Sequence, residues 1–417
     1  MAQLSDDCFA FGGELMRTDE ALRLLGERLD VVVPAETVPI RKALGRILAE
    51  EVTSPRAVPP HDNAAVDGYA VRFEDLSPDA DTRLPVTARV AAGQTLGRPS
   101  VAGEAVRIFT GAPMPDGLDT VLMQEDCRTE DGTVIIPPGI KQGANRRFAG
   151  EDIKAGEAIL HAGTRLRPQD VGLAASIGRT ELKVFAQLRV ALFSTGDEVR
   201  DAGQDLPPGC IYDANRYSVA AALERLGCAV DDLGILPDRY EVIRDTLAEA
   251  AKSHDLIMTS GGVSTGEEDH VRAAIEAQGR IHFWRLAIRP GRPLALGQIA
   301  GIPFIGLPGN PVAVLVTFMR FARPAILRLS GAAETEPRSY RVKAGFPVKK
   351  KEGRREWLRV MLEHDEDGQP VLRKFPRDGA GILTSMVAAD GLVELPEELT
   401  RLEAGTMVDF LPFSEIG

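Results

Sequence analysis

The sequence predicts a multidomain protein of the α/β plus β class, in which a central, doubly wound and mostly parallel α/β sheet domain is flanked by β-rich domains. Three observations carry this expectation. Between residues 188 and 329, short apolar runs alternate with helical patterns of roughly 10–15 residues, the order of a largely parallel sheet covered on both faces. Two glycine-rich loops there, T-S-G-G-V-S-T-G-E-E-D at 259–269 and G-L-P-G-N-P at 306–311, each follow an apolar run and open a helical pattern. The remaining segments, mainly 55–147 and 331–417, hold short alternating runs broken by Pro and Gly, which suit small barrels or sandwiches.

Taken in order, Thr18 can cap a helix whose Leu22, Leu25 and Leu29 share a face, after which residues 31–38 turn extended. In the central domain a strand at 189–193 leads into S-T-G-D-E at 194–198, and D-A-N at 213–215 precedes a helix over 216–226 closed by Gly227. Asp213 or Asn215 suits its N-cap, and Val219, Ala220, Leu223 and Leu226 form its apolar face. A strand at 230–235, a helix at 241–251 with Val242, Ile243, Leu247 and Ala250 inward, and a strand at 256–258 follow. A helix after Asp269, strands around Leu286 and Leu296, a strand at 302–305 and a helix at 312–329 complete the domain. Ligands of such sheets bind beyond the carboxyl ends of the strands, where all three glycine-containing loops fall.

Composition narrows the function. A chain of 417 residues, 44% hydrophobic and 26% charged, holds two to four folded domains. It contains no membrane-length apolar run, and its start carries Asp6 and Asp7 with no basic segment, so the expectation is a cytoplasmic protein with no membrane partner. Cys8, Cys127, Cys210 and Cys228 lack C-x-x-C spacing, and the six histidines form no H-E-x-x-H, which argues against disulfides or structural zinc. A net charge of −12 disfavours nucleic acid.

The loops nevertheless present backbone N–H groups and helix starts to an anion. Glu267, Glu268 and Asp269 sit beside that anion site, so a divalent cation or a protonated carboxyl must mediate. Each residue also has a plainer reading. A glycine-rich turn can be only a turn, Asp67 can start a tight turn before Gly68, and Thr110 is at home in a loop. Glu198 and Asp213 can cap helices. Arg146, Arg147 and Lys349–Lys351 read as solvated surface, and His61 and His270 have no assignable role.

The ordered set H-D-N-A-A-V-D-G-Y-A (61–70), I-F-T-G-A-P-M-P (108–115), R-R-F-A-G-E-D-I (146–153), S-T-G-D-E (194–198), I-Y-D-A-N (211–215), T-S-G-G-V-S-T-G-E-E-D (259–269), R-P-G-R-P (289–293) and G-L-P-G-N-P (306–311) resembles the molybdopterin molybdenumtransferase family, which includes bacterial MoeA and the E domain of gephyrin. The resemblance implies that molybdate is inserted into adenylylated molybdopterin with release of AMP, assisted by Mg²⁺. It implies a linking and dimerisation domain at 1–54 and 147–184, an inserted β-rich domain at 55–146, a molybdopterin-binding sheet domain at 185–330 and a barrel-like domain at 331–417. The homodimer's sites would lie between the sheet domain of one subunit and the β domain of the other. In this reading Gly261, Gly262, Ser264, Gly266, Pro308, Gly309, Asn310 and Pro311 cradle the pterin phosphate and phosphoanhydride. Glu198, Asp238 and Asp269 hold the metal and act in catalysis with Asp67. Arg285, Arg289 and Arg292 supply positive charge for the oxyanion, Arg359 and Ser385 match substrate-binding family positions in the C-terminal domain, and Thr110 joins Asp67 from the partner subunit. Molybdopterin adenylyltransferase and apo-molybdoenzymes are the implied partners.

The chain departs from the family at two places. Arg289 and Arg292 stand where lysines are usual, which keeps the charge and adds bidentate geometry, and Ala380 in D-G-A-G replaces a common serine. A molybdopterin adenylyltransferase, which uses a related sheet domain, and a non-catalytic scaffold of this architecture stay open as alternatives.

Overall fold

The computed structural model describes residues 15–262, 270–291 and 293–416. Its centre is a six-stranded sheet in the order Ala229–Leu236, Arg189–Thr195, Leu256–Ser260, Ile302–Leu307, Pro293–Ile299, Gly279–Arg285. The first four strands are parallel, and the last two pairings are antiparallel. Reversal occurs at Ala300 and Gly301, both at positive φ, the tight hairpin that joins antiparallel neighbours. Because the edge strand Gly279–Arg285 is reversed twice, it runs with the parallel set. The loop that follows it therefore emerges at the same sheet edge as the other carboxyl-terminal loops.

The strands at 189, 256 and 302 each end two residues later than the apolar pattern suggests. Backbone pairing continues through Ser194, Ser260 and Leu307, so the hydroxyl residues lie inside the ladder. One face is covered by helices Tyr240–Ser253 and His270–Glu276, with Ile243, Leu247, Val271 and Ile275 in its core. The other is covered by Asn215–Leu226, closed by Gly227 in the left-handed region, and by a helical run through residue 329. That run is α-helical over Pro311–Thr317, takes a π turn at Phe318–Ala322, and resumes over Arg323–Leu329. Pro324 explains the interruption, since it has no N–H for the carbonyl four residues back.

The inserted domain is a six-stranded sheet in the order Thr120–Met123, Gly68–Val71, Ala105–Ile108, Thr82–Val90, Thr133–Ile136, Arg128–Glu130. Residues on both sides of it, including Val38, Leu48, Ile153, Leu166, Leu182 and Val184, share one core, and Ala35–Pro39 pairs with Glu181–Phe185. At the carboxyl end, strands Arg355–His364, Pro370–Lys374, Tyr340–Ala344, Met407–Pro412 and Gly391–Leu395 close into a barrel, because the first also pairs with the last.

The barrel is docked by buried charge. Arg355 donates to Glu397 at 2.9 Å, to Glu394 at 2.8 Å and to Asp19 at 3.0 Å. Glu394 also accepts from Trp357 Nε1 at 3.0 Å and pairs with Arg320 on the π turn at 3.3 Å. The Thr18 N–H reaches Glu397 at 3.4 Å, so a barrel carboxylate serves the positive end of helix Thr18–Arg28. Thr18 is thus the first helical residue and Arg17 the N-cap, which corrects the sequence expectation. Replacing Arg355 by Met leaves the buried Glu397 with only the more distant Arg17, at 3.9 Å, as a cation. The expected result is a loss of about 3–5 kcal/mol in the unfolding transition followed by tryptophan fluorescence in denaturant.

Candidate functional site

At the carboxyl ends of the parallel strands lies a cavity of about 230 Å³. Its walls include Ser194, Thr195 and Glu198 from the first loop, Asp213 and Asn215 from the next, Ser260, Gly261 and Gly262 from the glycine-rich loop, and Pro308, Gly309 and Pro311. Ser194 and Ser260 are register partners on adjacent strands. The hydroxyls of Ser194, Thr195 and Ser260 are buried and have no hydrogen-bond partner among the described residues. A buried polar group left unpaired costs on the order of 1–3 kcal/mol, so three at one cavity wall make it receptive to oxygen-rich ligands. Sequence reasoning missed these hydroxyls, although S-T and T-S stood directly before the glycines.

Gly261 and Gly262 both lie at positive φ, +89° and +65°. A Cβ at Gly262 would come within 2.3 Å of Thr195 Cγ2 and 3.0 Å of Val271 Cγ2, so glycine lets this loop close over the first one. Across the cavity, Asn215 Nδ2 donates to the Gly309 carbonyl at 2.6 Å, tying two loops 94 residues apart. Asn215 is therefore the first residue of its helix and not its cap. Ala214 is the N-cap, and Asp213 accepts the Arg216 N–H at 3.0 Å. The buried Arg216 pairs with Asp213, Asp201 and Asp232, fixing the 197–213 segment to the sheet. These contacts raise the Arg216 guanidinium above its ordinary value against the opposing effect of burial.

A second cavity, about 370 Å³, opens between the sheet domain and the barrel. Arg289, Lys349, Arg354, Arg359 and Lys374 line it, opposed by Glu356 and Asp378. Residues Ile288–Arg289 form a short parallel bridge with Arg355–Glu356, and Arg289 lies 3.7 Å from the buried Glu356 carboxylate. Arg359 is 6% exposed and donates to Ser385 Oγ at 3.0 Å, and that hydroxyl donates to the Ile382 carbonyl at 2.6 Å. Burial, together with the nearby Arg289 charge, presses Arg359 below its usual range. Lys349 is exposed, as its surface reading expects, and also lines this wall, while Lys350 is anchored on the Leu399 carbonyl at 2.7 Å. Arg146 is likewise half-buried on Asp62, with Nε 2.8 Å from the carboxylate.

Both cavities flank the start of the helical run at Pro311. Asn310 is its N-cap, and the Val312 N–H donates to the Ala380 carbonyl at 2.9 Å. The residue that lacks a serine hydroxyl thus contributes a backbone acceptor.

The other predicted residues are placed differently. Asp238 is half-buried two positions beyond strand Ala229–Leu236, beside a groove lined by Asp197, Asp201 and Pro237, and is not in the wall of either cavity. Arg285 is exposed at the end of its strand and lines neither cavity, while its carbonyl accepts the Met16 N–H at 2.9 Å. Asp67 and Thr110 meet on the inserted domain, where the Thr110 N–H and hydroxyl donate to Asp67 Oδ1 at 2.8 and 2.7 Å and hold its carboxyl below the usual range. Ser264, Gly266, Asp269 and Arg292 lie outside the described residues. Among the described residues no three His, Cys, Asp or Glu groups converge as metal ligands.

Known proteins share this architecture. Residues 16–178 match the family model for the MoeA N-terminal region (domain I and II), residues 191–328 that for a probable molybdopterin binding domain, and residues 341–413 that for the MoeA C-terminal region (domain IV). The chain is 38% identical over 404 residues to the molybdopterin molybdenumtransferase of Haemophilus influenzae, covering 96% of this chain and 100% of that protein. It is 37% identical over 390 residues to that of a Nostoc species, covering 91% and 88%. The solved molybdopterin biosynthesis moeA protein from Pyrococcus horikoshii OT3 aligns with a TM-score of 0.81 at 28% identity, covering 96% of this chain and 100% of that one.

The Gly262 contact yields a direct test. Gly262→Ala combines positive φ with a close methyl contact, and is expected to lower stability by about 1–3 kcal/mol. Thermal unfolding of the variant beside wild type measures this.

Proposed function

Because the chain belongs to the molybdopterin molybdenumtransferase family, we propose that it inserts molybdenum from molybdate into adenylylated molybdopterin, forming molybdenum cofactor and releasing AMP. The observation that supports this most is the adjacency of two chemically different cavities, one lined by hydroxyls and glycine backbone, the other by five cations, on either side of the helix start at Pro311.

Molybdate is a doubly charged oxyanion, and Arg289 and Arg359, with Lys349, Arg354 and Lys374, supply the charge it needs in a chain of net −12. Ser385 keeps the Arg359 fork aimed. On the sheet side, Ser194, Thr195, Ser260, Gly261, Gly262 and residues 308–311 would hold the pterin phosphate and phosphoanhydride, joined by Ser264 and Gly266. Arg285 and Arg292 would add to the anion field.

The reading includes Mg²⁺, which binds through one or two carboxylates plus substrate phosphates more often than in an all-protein cage. Glu198 in the cavity wall is a hard oxygen donor of that kind, and Asp238 and Asp269 would complete the acidic side. When bound, the ion would neutralise the anhydride whose cleavage frees AMP. Asp67 and Thr110 would approach from the second subunit of a homodimer. A molybdopterin adenylyltransferase would supply the substrate in the cytoplasm, and apo-molybdoenzymes would take the product.

The decisive assay is AMP release from adenylylated molybdopterin by the purified protein. Release that depends on both molybdate and Mg²⁺ is expected. None from the folded protein would favour a scaffold, and unaided adenylylation of molybdopterin from ATP would favour an adenylyltransferase. Arg289→Glu is expected to raise the molybdate requirement about tenfold or more, the scale of one lost charge-assisted contact. Mixing Asp67→Ala with Glu198→Ala chains should restore activity that neither parent has, and no recovery in a verified heterodimer would place the two residues in one subunit's site.

A further inference from the structure

The inserted domain carries a pairing that its own stability does not call for. In the parallel ladder between Thr82–Val90 and Ala105–Ile108, Arg89 and Arg107 occupy matched register positions. Like charges opposite one another on neighbouring strands destabilise a sheet. Both guanidinium groups lie over the ring of Phe109, at 4.4 Å and 4.8 Å from its centroid, and Arg107 also lies 5.1 Å from the centre of Tyr69. Arg107 is fixed further by donating to the Gly68 carbonyl at 3.0 Å and to Gln124 Oε1. Arg89 is exposed, and among the described residues it has no carboxylate partner. The aromatic ring is what orients it.

A guanidinium stacked by its flat face keeps its N–H groups around its edge, where they can fork onto an oxyanion. Two such groups around one ring repel each other, and an oxyanion that reaches the N–H edges of both would offset that repulsion with charge-assisted contacts. The stack also adjoins chemistry already described. Thr110 follows Phe109 directly and Asp67 immediately precedes the strand that carries Tyr69, so Asp67 and Thr110 stand beside the stack in sequence.

We propose that Arg89 and Arg107 form a phosphate clamp on the inserted domain, which receives the phosphate of the adenylylated substrate beside Asp67 and Thr110. The clamp rests on the transferase reading, since that reading brings this surface to a substrate. Phe109 and Tyr69 position the guanidinium groups and leave the oxyanion contacts to them. The same oxyanion chemistry would also suit free inorganic phosphate, and the two sources are separable by affinity.

The test is calorimetric titration of the full-length protein with AMP and, separately, with inorganic phosphate, for wild type, Arg89→Gln and Arg89→Lys. Arg89 is exposed, so both variants should fold. Expected are AMP binding weakened about tenfold or more in Arg89→Gln, largely restored in Arg89→Lys, and tighter in wild type than phosphate binding. In turnover, Arg89→Gln should raise KM for the adenylylated substrate and leave kcat within about twofold of wild type. Equal AMP affinity in wild type and Arg89→Gln would overturn the clamp, as would a wild type that binds neither ligand. Phosphate binding as tightly as AMP would overturn its assignment to the substrate. If AMP binding depends on Arg89 but the wild-type protein releases no AMP from adenylylated molybdopterin, the transferase reading fails and the clamp stands.

Discussion

Five cations gathered around one cavity repel one another, and the way the barrel meets the sheet domain is largely the means of holding them there. Glu356 and Asp378 stand in the cavity wall, while Glu394 and Glu397 lie behind it and take up Arg355, Arg320 and the start of helix Thr18–Arg28. Strand Arg355–His364 serves both tasks, because Arg355, Trp357 and Arg359 share one side of it. Arg355 is spent on docking, Trp357 both donates to Glu394 and lines the cavity, and Arg359 lines it, turned by Ser385. The site's charge and the interdomain contact are therefore parts of a single electrostatic arrangement.

The sheet cavity works by a different principle. It has little charge beyond Glu198 and Asp213, and its wall holds three hydroxyl groups that have no partner among the described residues. Close approach of loops makes this possible, at Gly262 against Thr195 and at Asn215 against Gly309. In the proposed reading the substrate carries a pterin, a phosphate and a nucleotide, and one cavity of each kind would divide such a molecule from the oxyanion it must meet.

The sheet, its parallel core and the glycine loops were legible because strand and helix periods are local properties and glycine at a strand end has few other uses. Gly261, Gly262 and residues 308–311 followed from that reading, whereas Glu198 entered the site only through the family resemblance. The cationic wall was not legible as a whole, since Arg289, Lys349, Arg359 and Lys374 come from separate segments and nothing local distinguishes Lys349 from a solvated lysine. Asn215 looked like a cap because Asn before a helix usually is one, and its partner lies 94 residues away. The antiparallel end of the sheet was missed because a buried strand reads the same in either direction, while the turn at Ala300 and Gly301 that decides it is two residues long.

Residues 288 and 289 belong by chain to the sheet domain and by hydrogen bonding to the barrel. The boundary between these domains is thus a shared strand and not a hinge. Rocking of the barrel away from the sheet that left residues 288 and 289 behind would have to unzip that bridge, and Arg289 would then part from Lys349, Arg354, Arg359 and Lys374, taking its charge from the cavity. In such a motion opening and discharging would be one event, so a route for ligand exchange that keeps Arg289 in place would run along the mouth of the cavity and not through the seam.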